Sequence, residues 1–484
     1  MPKRPGSVDT ADESDTEMFL PTTTPSTHNS MASRRRFSRK ARCAKVSVCA
    51  LAVIAVVVLL WEVMDIQKND LLTEDINEAS QIQLPKEYPP ITVPSLSPED
   101  YANLCYPSLK NEFTISAVAD KLSLMSLSNE KACTDVANIF SKIYDVQKIK
   151  GEIKLPSAFV SEVKGWLNNS EELFKSIGSQ DIFQVRNKIW GETSVFNMLR
   201  SKRPVSKPSM DPKLYVEQIY NSSKENCDFC SYRDHTAEDI FGRVESKYSA
   251  SASNTFKLSK FHGLFFPYGH HPLNISFEVL KDLFLTTSQS WVDKALKIDP
   301  EQVFATLLWD SLPHAGASQV HPHVHGLLDT SRYAGQFGVL QEGAMSYFKQ
   351  YNRLLWSDIL LIHWALGLVV PQKDAIAVVP ITARKDHEYM IISQSLNTDV
   401  VVLLWRILQT YRNELGIYCF SSAASLPPRS SVQGALPFIY RIGSRGDCTS
   451  LRSDVSSLEL YTMNNINSNL AETLKFLQKT TMAT

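Results

Sequence analysis

Hydrophobic spacing along the chain predicts a helical region followed by alternating helices and strands. From residue 101 to about 199, apolar side chains recur every three or four positions, as in residues 132–144, which is typical of amphipathic helices. Beyond residue 277, helical spacing alternates with short apolar runs such as residues 303–309 and 375–380, which are typical of buried strands. The pattern thus predicts strands with flanking helices, preceded by a helical lead-in region at residues 101–205.

An almost wholly apolar run at residues 46–61 follows a basic block at residues 34–42. This combination predicts a transmembrane anchor at residues 46–64. Residues 1–45 are rich in Ser, Thr, Asp and Pro, which is typical of a disordered cytoplasmic tail. Proline-rich residues 65–100 are expected to form a semi-extended stem.

Positive charges remain on the cytoplasmic side of a membrane, so the later residues are predicted to be lumenal. The chain is then a single-pass type II membrane protein of the Golgi or endoplasmic reticulum. A cleaved signal peptide is disfavoured by the long polar segment before the apolar run, and a buried core helix is the remaining alternative. N-glycosylation sequons at Asn168, Asn221 and Asn274 agree with this orientation and predict a glycoprotein.

Charge and cysteine usage narrow the function classes. Fifty basic and fifty-one acidic residues leave a net charge of −1, which argues against a general nucleic-acid binder. In an oxidising lumen, Cys105 with Cys133 and Cys419 with Cys448 are plausible disulfides.

Three of the eleven histidines, His321, His323 and His325, lie within five residues. Alternate positions of a strand share one face, so these imidazoles are predicted to face one pocket. Such a pocket would hold a metal, a phosphate or both. The alternative is a histidine-rich surface strand, which the apolar flanks at residues 307–309 and 326–328 disfavour.

A Cys-x-x-Cys turn at Cys227 and Cys230 can present two thiolates to a metal or close into a redox disulfide. The later pair His270-His271, followed by His321, favours zinc. Two thiolates and two imidazoles make a closed tetrahedral site, which is typical of structural zinc.

The histidine segment resembles the galactose-1-phosphate uridylyltransferase branch of the histidine triad superfamily, whose signature reads Gly-x-Ser-Asn-Pro-His-Pro-His-Gly-Gln. The matching positions here are Gly316, Ser318, Gln319, Val320, His321, Pro322, His323, Val324 and His325. This resemblance implies that His323 is a nucleophile toward a nucleotide α-phosphorus. It also implies a zinc site made of Cys227, Cys230, His271 and His321, because residues 271–274 fit the family's His-x-Leu-Thr segment better than a segment starting at His270.

The family is an internal duplication, so the resemblance implies an α+β fold of duplicated histidine-triad-like antiparallel sheets with flanking helices. Residues 206–395 are then the first, catalytic domain. Residues 396–484 are a degenerate second repeat, because they contain no His-x-His. Charged residues such as Arg441 and Arg445 could bind phosphate there, although a solvated loop is the alternative. Members of the family are often dimeric, so the resemblance leaves a homodimer open, although the sequence itself does not indicate an oligomeric state.

The predicted reaction begins with attack of His323 on a nucleotide sugar or dinucleotide, which gives a nucleotidyl-histidine. The nucleotide then passes to a phosphorylated acceptor. Charge on the phosphoryl oxygens needs donors, for which His325, Ser318 and Gln319 are candidates. His325 replaces the Gln of the signature and restores the His-x-His-x-His form of hydrolases and phosphorylases, so hydrolysis and phosphorolysis remain open.

Three alternatives remain. In the first, the histidines bind catalytic zinc and activate water, which leaves Cys227 and Cys230 without a role. The second is a Golgi glycosyltransferase, against which the absence of an Asp-x-Asp motif after the anchor counts. The third is an inactive anchored binding protein that acts through residues 101–199.

Overall fold

The computed structural model describes residues 88–204, 210–313, 319–333, 335–429, 436–449, 464–466 and 468–480. The predicted cytoplasmic tail and anchor lie outside these ranges. Within them, no helix has both the length and the apolar content to cross a membrane. The longest helix there, Gly335–Tyr351, has 17 residues and carries polar side chains, whereas a membrane span needs about 20 apolar residues. This finding corrects the prediction of a single-pass membrane protein with a lumenal catalytic part.

Helices open the described chain, as the apolar spacing predicts. They are α1 (Pro98–Cys105), α2 (Ile115–Ser126), α3 (Lys131–Ile143), α4 (Ser157–Trp166) and α5 (Glu171–Ile177). In α3, Val136, Phe140 and Ile143 are buried on one face, which explains the three-to-four-residue spacing. A disulfide between Cys105 and Cys133 joins α1 to α3, so this predicted pair is confirmed.

The lead-in region is not wholly helical. It contributes three strands, β1 (Tyr144–Glu152), β2 (Ser179–Asn187) and β3 (Thr193–Phe196), and β3 pairs in parallel with Asn464–Ile466 near the C-terminus. Strand β1 exposes Lys148 and Lys150 and pairs along its whole length with β2. Because most of β1 faces solvent, its sequence lacks the apolar run that identifies a buried strand.

A nine-stranded antiparallel sheet forms the centre of the molecule, in the order β4-β5-β7-β6-β11-β12-β10-β9-β8. Its strands in chain order are β4 (Ser249–Ser253), β5 (His262–Pro267), β6 (Phe304–Asp310), β7 (Val324–Asp329), β8 (Val369–Gln372), β9 (Ala375–Val378), β10 (Tyr389–Ser393), β11 (Cys419–Leu426) and β12 (Phe438–Gly446). The predicted α+β class with antiparallel strands and flanking helices is confirmed.

The remaining helices flank this sheet. They are α6 (Pro212–Ser223), α7 (Tyr232–His235), α8 (Phe277–Lys281), α9 (Gln289–Ile298), α10 (Gly335–Tyr351), α11 (Leu355–Ala365), α12 (Thr398–Gln409) and α13 (Leu470–Lys479). A π-helical segment, Asp282–Ser288, joins α8 to α9. The indole of Trp291 on α9 lies 2.5 Å from where a Cβ of Gly263 would stand, so only glycine permits this helix to pack on β5.

Strand order reveals an internal duplication. The chain runs β4, β5, helix, β6, β7 and then β9, β10, helix, β11, β12, and the two sets have the same spatial order, β4-β5-β7-β6 and β9-β10-β12-β11. The sets join where β6 pairs with β11. The second set begins with β9 at Ala375, and the predicted division at residue 396 falls between β10 and α12.

Candidate active site and metal centre

Three of the predicted metal ligands, Cys227, Cys230 and His321, come together with His270 at one end of β5 and β7. Cys227 precedes the 3-10 turn Asp228–Ser231 and Cys230 lies within it, His270 follows β5, and His321 precedes β7. One ligand atom of each residue lies within 4.8 Å of the others. The Nδ1 atoms of His270 and His321 are 3.3 Å apart, and the Cys227 sulfur is 3.4 Å from Nδ1 of His321.

These distances fit a tetrahedral metal. With metal–nitrogen bonds of about 2.05 Å and metal–sulfur bonds of about 2.3 Å, a tetrahedral ion separates two nitrogens by about 3.3 Å and a nitrogen from a sulfur by about 3.5 Å. The Cys230 sulfur lies 3.4 Å from Nδ1 of His270 and 3.7 Å from Nδ1 of His321, which agrees. The cluster can therefore bind a metal ion.

Hydrogen bonds at the far side of each ring orient the two histidines for this role. Nε2 of His321 donates to the Pro267 carbonyl at 2.7 Å, and Nε2 of His270 lies 3.0 Å from the Ser223 hydroxyl. His321 therefore carries its proton on Nε2 and leaves Nδ1 free as a ligand, which is the usual arrangement in metal sites, and the same tautomer of His270 would donate to the Ser223 hydroxyl. Burial lowers the pKa of His321 to about 4, so its ring is neutral near pH 7.

His270, and not the predicted His271, completes the cluster. The Nε2 atom of His271 lies 3.1 Å from a carboxylate oxygen of Glu217 on α6, and its ring packs against Tyr220. Two consecutive side chains leave the backbone in different directions, so only one of them can point at Cys230. The prediction of His271 as a ligand is corrected by this geometry.

The triad histidines divide between two tasks. Strand β7 begins only at Val324, so strict alternation does not govern His321 and His323, which precede it. His321 turns into the metal cluster, whereas the rings of His323 and His325 lie together with centroids 5.0 Å apart. The three imidazoles thus do not face one common pocket as predicted.

The tautomer of His323 follows from its one described hydrogen bond. Nδ1 lies 2.9 Å from the backbone carbonyl of His321, which can only accept, so Nδ1 carries the proton. Burial lowers the pKa of His323, although the carbonyl bond and the charge of Asp310 act in the opposite direction. The neutral ring consequently has its lone pair on Nε2, the atom that a nucleophile needs.

His325 has the opposite tautomer. The backbone N–H of Leu258 donates to Nδ1 of His262 at 3.2 Å, so the proton of neutral His262 is on Nε2. That Nε2 lies 2.9 Å from Nδ1 of His325 and donates to it. His325 is therefore protonated on Nε2. Burial lowers the pKa of His325 to about 3, which keeps the ring neutral.

Of the two predicted substrate-binding residues, Ser318 lies outside the described residues. The Gln319 amide donates to the Asp228 carboxylate at 2.9 Å, which ties the segment before the triad to the Cys-x-x-Cys turn. Its role in substrate binding remains a prediction.

The second repeat braces the segment that leads to the triad. Arg445 donates to the carbonyls of Ser311 and Pro313, and the Ser311 hydroxyl accepts from the Phe420 N–H at 2.7 Å. Leu312 has a positive φ of 66° and packs against the disulfide between Cys419 and Cys448. This predicted disulfide is confirmed. It lies next to residues 311–313, the segment that leads to the triad, which we call the approach to the triad.

Sequence reasoning missed His262 and Asp310. Neither belongs to the matched motif, and each comes from a strand that neighbours β7. Apart from being a histidine and a carboxylate beside apolar runs, they carry no local signal. Only the register, which pairs Leu264 and Leu308 with His325, brings these strands against the triad.

Comparison with known proteins gives likenesses of structure alone. No protein-family model matches the chain, and no curated protein does. A solved ADP-glucose phosphorylase from Arabidopsis thaliana has a TM-score of 0.48 and 15% identity, over 62% of this chain and 99% of that chain. A uridylyltransferase has a TM-score of 0.43 and 13% identity, over 60% and 96%. Yeast Ap4A phosphorylase has a TM-score of 0.26 and 11% identity, over 62% and 85%.

By name these proteins are uridylyltransferases and nucleotide phosphorylases.

Proposed function

We propose that the chain is a nucleotidyltransferase or nucleotide phosphorylase that works through a nucleotidyl-histidine at His323. The observation that supports this most directly is the hydrogen bond from Nδ1 of His323 to the His321 carbonyl, at 2.9 Å. It fixes the proton on Nδ1 and so leaves the lone pair on Nε2, while burial of the residue, which is only 6% exposed, favours the neutral ring.

The reaction has two displacements. Nε2 of His323 attacks the α-phosphorus of a nucleotide sugar or dinucleotide, an N–P bond forms, and the P–O bond to the leaving phosphate or sugar phosphate breaks. An acceptor oxygen then attacks the same phosphorus, the N–P bond breaks, and His323 regains its lone pair. The N–H of His325 donates to phosphoryl oxygens as negative charge develops on them.

Zinc is the metal that we assign to Cys227, Cys230, His270 and His321. When bound, it would supply structural cross-linking, because two thiolates and two imidazoles fill its four positions. The same four residues come from three separate segments, so their attachment to one ion would hold His321, and hence the His321 carbonyl, in place. Burial and the Cys227 thiol raise the pKa of Cys230 to about 11, an effect that a cation reverses.

A phosphorolytic or hydrolytic outcome is the second candidate. His325 stands where the uridylyltransferase signature has Gln, and this one position favours the phosphorylase and hydrolase branches. The two candidates share His323 and differ in the acceptor.

The test is incubation of the purified full chain with nucleotide sugars and dinucleotides labelled at the α-phosphorus. We expect acid-labile label on the wild-type protein and none on His323→Asn, in which the Asn amide keeps the donor to the His321 carbonyl. Release of the label by hexose 1-phosphate, inorganic phosphate or water identifies the acceptor. Absence of label on a wild-type protein that contains its metal would overturn the proposal.

Zinc is tested separately by metal analysis of the purified chain. One zinc per chain is expected in the wild-type protein, and loss of zinc with a lower melting temperature is expected in Cys230→Ser. A wild-type chain that is folded and free of zinc in the presence of excess zinc would refute this assignment.

A further inference from the structure

His262 is a buried histidine outside the matched motif, and the proposed reaction does not use it directly. It begins β5, is 1% exposed, and lies opposite Leu327 of β7. Its ring centroid is 5.2 Å from that of His325. A histidine buried in this way needs a reason, because a neutral imidazole still has one donor and one acceptor to satisfy.

Both nitrogens of His262 are engaged in a fixed direction. A backbone N–H from the loop between β4 and β5, that of Leu258, donates to Nδ1 at 3.2 Å. A backbone amide cannot accept, so the ring proton of His262 is on Nε2. The Asn254 side-chain amide lies 3.4 Å from Nε2, but its nitrogen is also a donor, because Oδ1 of Asn254 accepts from the Phe256 N–H. The acceptor for Nε2 is thus Nδ1 of His325, at 2.9 Å.

The consequence for His325 is a defined tautomer. A ring that accepts at Nδ1 holds its proton on Nε2, and the Nε2 atom then acts as a donor. In the other tautomer, a bare lone pair on Nε2 would meet the lone pairs of phosphoryl oxygens and repel them. The Gln of the uridylyltransferase signature carries an amide N–H, so this tautomer preserves a donor at the same position.

We propose that His262 is a positioning residue that fixes the tautomer of His325, so that the neighbouring rings of His323 and His325 present one lone pair and one N–H to the same phosphoryl group. This inference rests on the proposed function for its chemical purpose. The chain of donors from the Leu258 amide through His262 to His325 is independent of any substrate.

Substitutions at position 262 separate this role from a structural one. In His262→Glu a carboxylate, which can only accept, faces Nδ1 of His325 and draws the proton onto Nδ1. In His262→Gln the amide nitrogen donates to His325 while the amide oxygen accepts from Leu258, so the natural tautomer is kept. Asn254→Ala is the matched control, since it removes the other polar group near Nε2 of His262 without changing any donor to His325.

The experiment uses the full chain labelled with ¹⁵N only in histidine, and reads tautomers from two-bond ¹H–¹⁵N correlations. His325→Gln assigns the His325 signals. Measurements at about pH 8.5 keep an imidazole beside a carboxylate neutral. We expect the Nε2–H form of His325 in the wild-type protein, His262→Gln and Asn254→Ala, and the Nδ1–H form in His262→Glu.

Rates of nucleotidyl transfer to the protein give the second readout. In His262→Glu the rate falls by about 10²-fold, the usual loss for one oxyanion donor, and His262→Gln restores most of it. An Nδ1–H tautomer on wild-type His325, or an unchanged rate in a His262→Glu protein that shows the switched tautomer, would overturn the inference. If the tautomers are as expected but the wild-type chain never takes up label, the proposed function fails and the tautomer control stands.

Discussion

The two repeats of the nine-stranded sheet have the same strand order and different contents at the same place. On β7, His325 is paired with Leu308 of β6, which is paired with Ala423 of β11, which is paired with Arg441 of β12. Residues directly opposite each other in antiparallel strands share a face, so Arg441 lies on the face of the sheet that bears His325.

In the second repeat this face is filled by ion pairs. Nε of Arg441 donates to Glu388 at 2.6 Å and Nη1 donates to Glu192 at 3.1 Å, and Arg441 is only 7% exposed. Glu192 belongs to the lead-in region, between β2 and β3. Arg441 is thus neither in a solvated loop nor beside the triad.

The difference shows what each repeat contributes. The first repeat carries the histidines that we propose for chemistry, and the second carries a sealed face and the residues that hold the approach to the triad.

The largest effect is expected at His323. Its replacement by Asn should lower the rate of nucleotidyl transfer by at least about 10⁴-fold, because no other group supplies the attacking lone pair. The free energy of unfolding should change by less than about 1 kcal/mol, since the Asn amide keeps the bond to the His321 carbonyl. Single-turnover kinetics and urea unfolding of the same samples measure the two quantities. A variant that still transfers nucleotide at the wild-type rate would remove His323 from the chemistry.

For Arg441 we expect a large loss of stability and little change in the rate of nucleotidyl transfer. Arg441→Met leaves Glu192 and Glu388 buried with their main cationic partner gone, which should cost about 3–5 kcal/mol of unfolding free energy. The folded fraction should still transfer nucleotide at a rate close to that of the wild-type protein. The triple variant with Glu192→Gln and Glu388→Gln should regain part of the lost stability. No recovery would mean that packing, and not uncompensated charge, explains the loss.

The two disulfides provide a matched pair. Cys105–Cys133 and Cys419–Cys448 have sequence separations of 28 and 29, so loop-closure entropy predicts that each contributes about 3–4 kcal/mol. Only the second contacts Leu312, on the approach to the triad. Replacing either pair by Ser should lower stability similarly, and only the change at 419 and 448 should also lower kcat. Equal kcat values in the two variants would show that the contact between Leu312 and the second disulfide has no effect on the reaction.

The smallest effect is expected at His271. His271 contacts Glu217, whose side chain is 46% exposed, so solvent weakens the interaction. His271→Asn should therefore change the free energy of unfolding by no more than about 0.5 kcal/mol. Metal content should remain that of the wild-type chain, whereas His270→Asn should lose the metal. Metal analysis of both variants decides between the neighbouring histidines, and retention of metal by His270→Asn together with loss by His271→Asn would contradict the geometry.

Local patterns were sufficient for several features. The spacing of His321, His323 and His325 located the site, and the Cys-x-x-Cys turn supplied half of the metal cluster. Both disulfide pairs were named as plausible, although the sequence does not fix the connectivity of the cysteines, and amphipathic spacing identified helix α3. The paired strands β1 and β2 of the lead-in region were missed because most of β1 faces solvent, which leaves no apolar run in its sequence.

What the sequence by itself determined is the inventory of chemical groups, since ligand types and short spacings follow from covalent order. Only the tertiary structure decided in which direction each side chain points and which residues it contacts. It selected His270 over its neighbour, brought His262 from another strand against His325, and placed Glu192 on Arg441. The physical reason is that strand register and side-chain direction over tens or hundreds of residues are set by the packing of the whole sheet, which no local segment encodes.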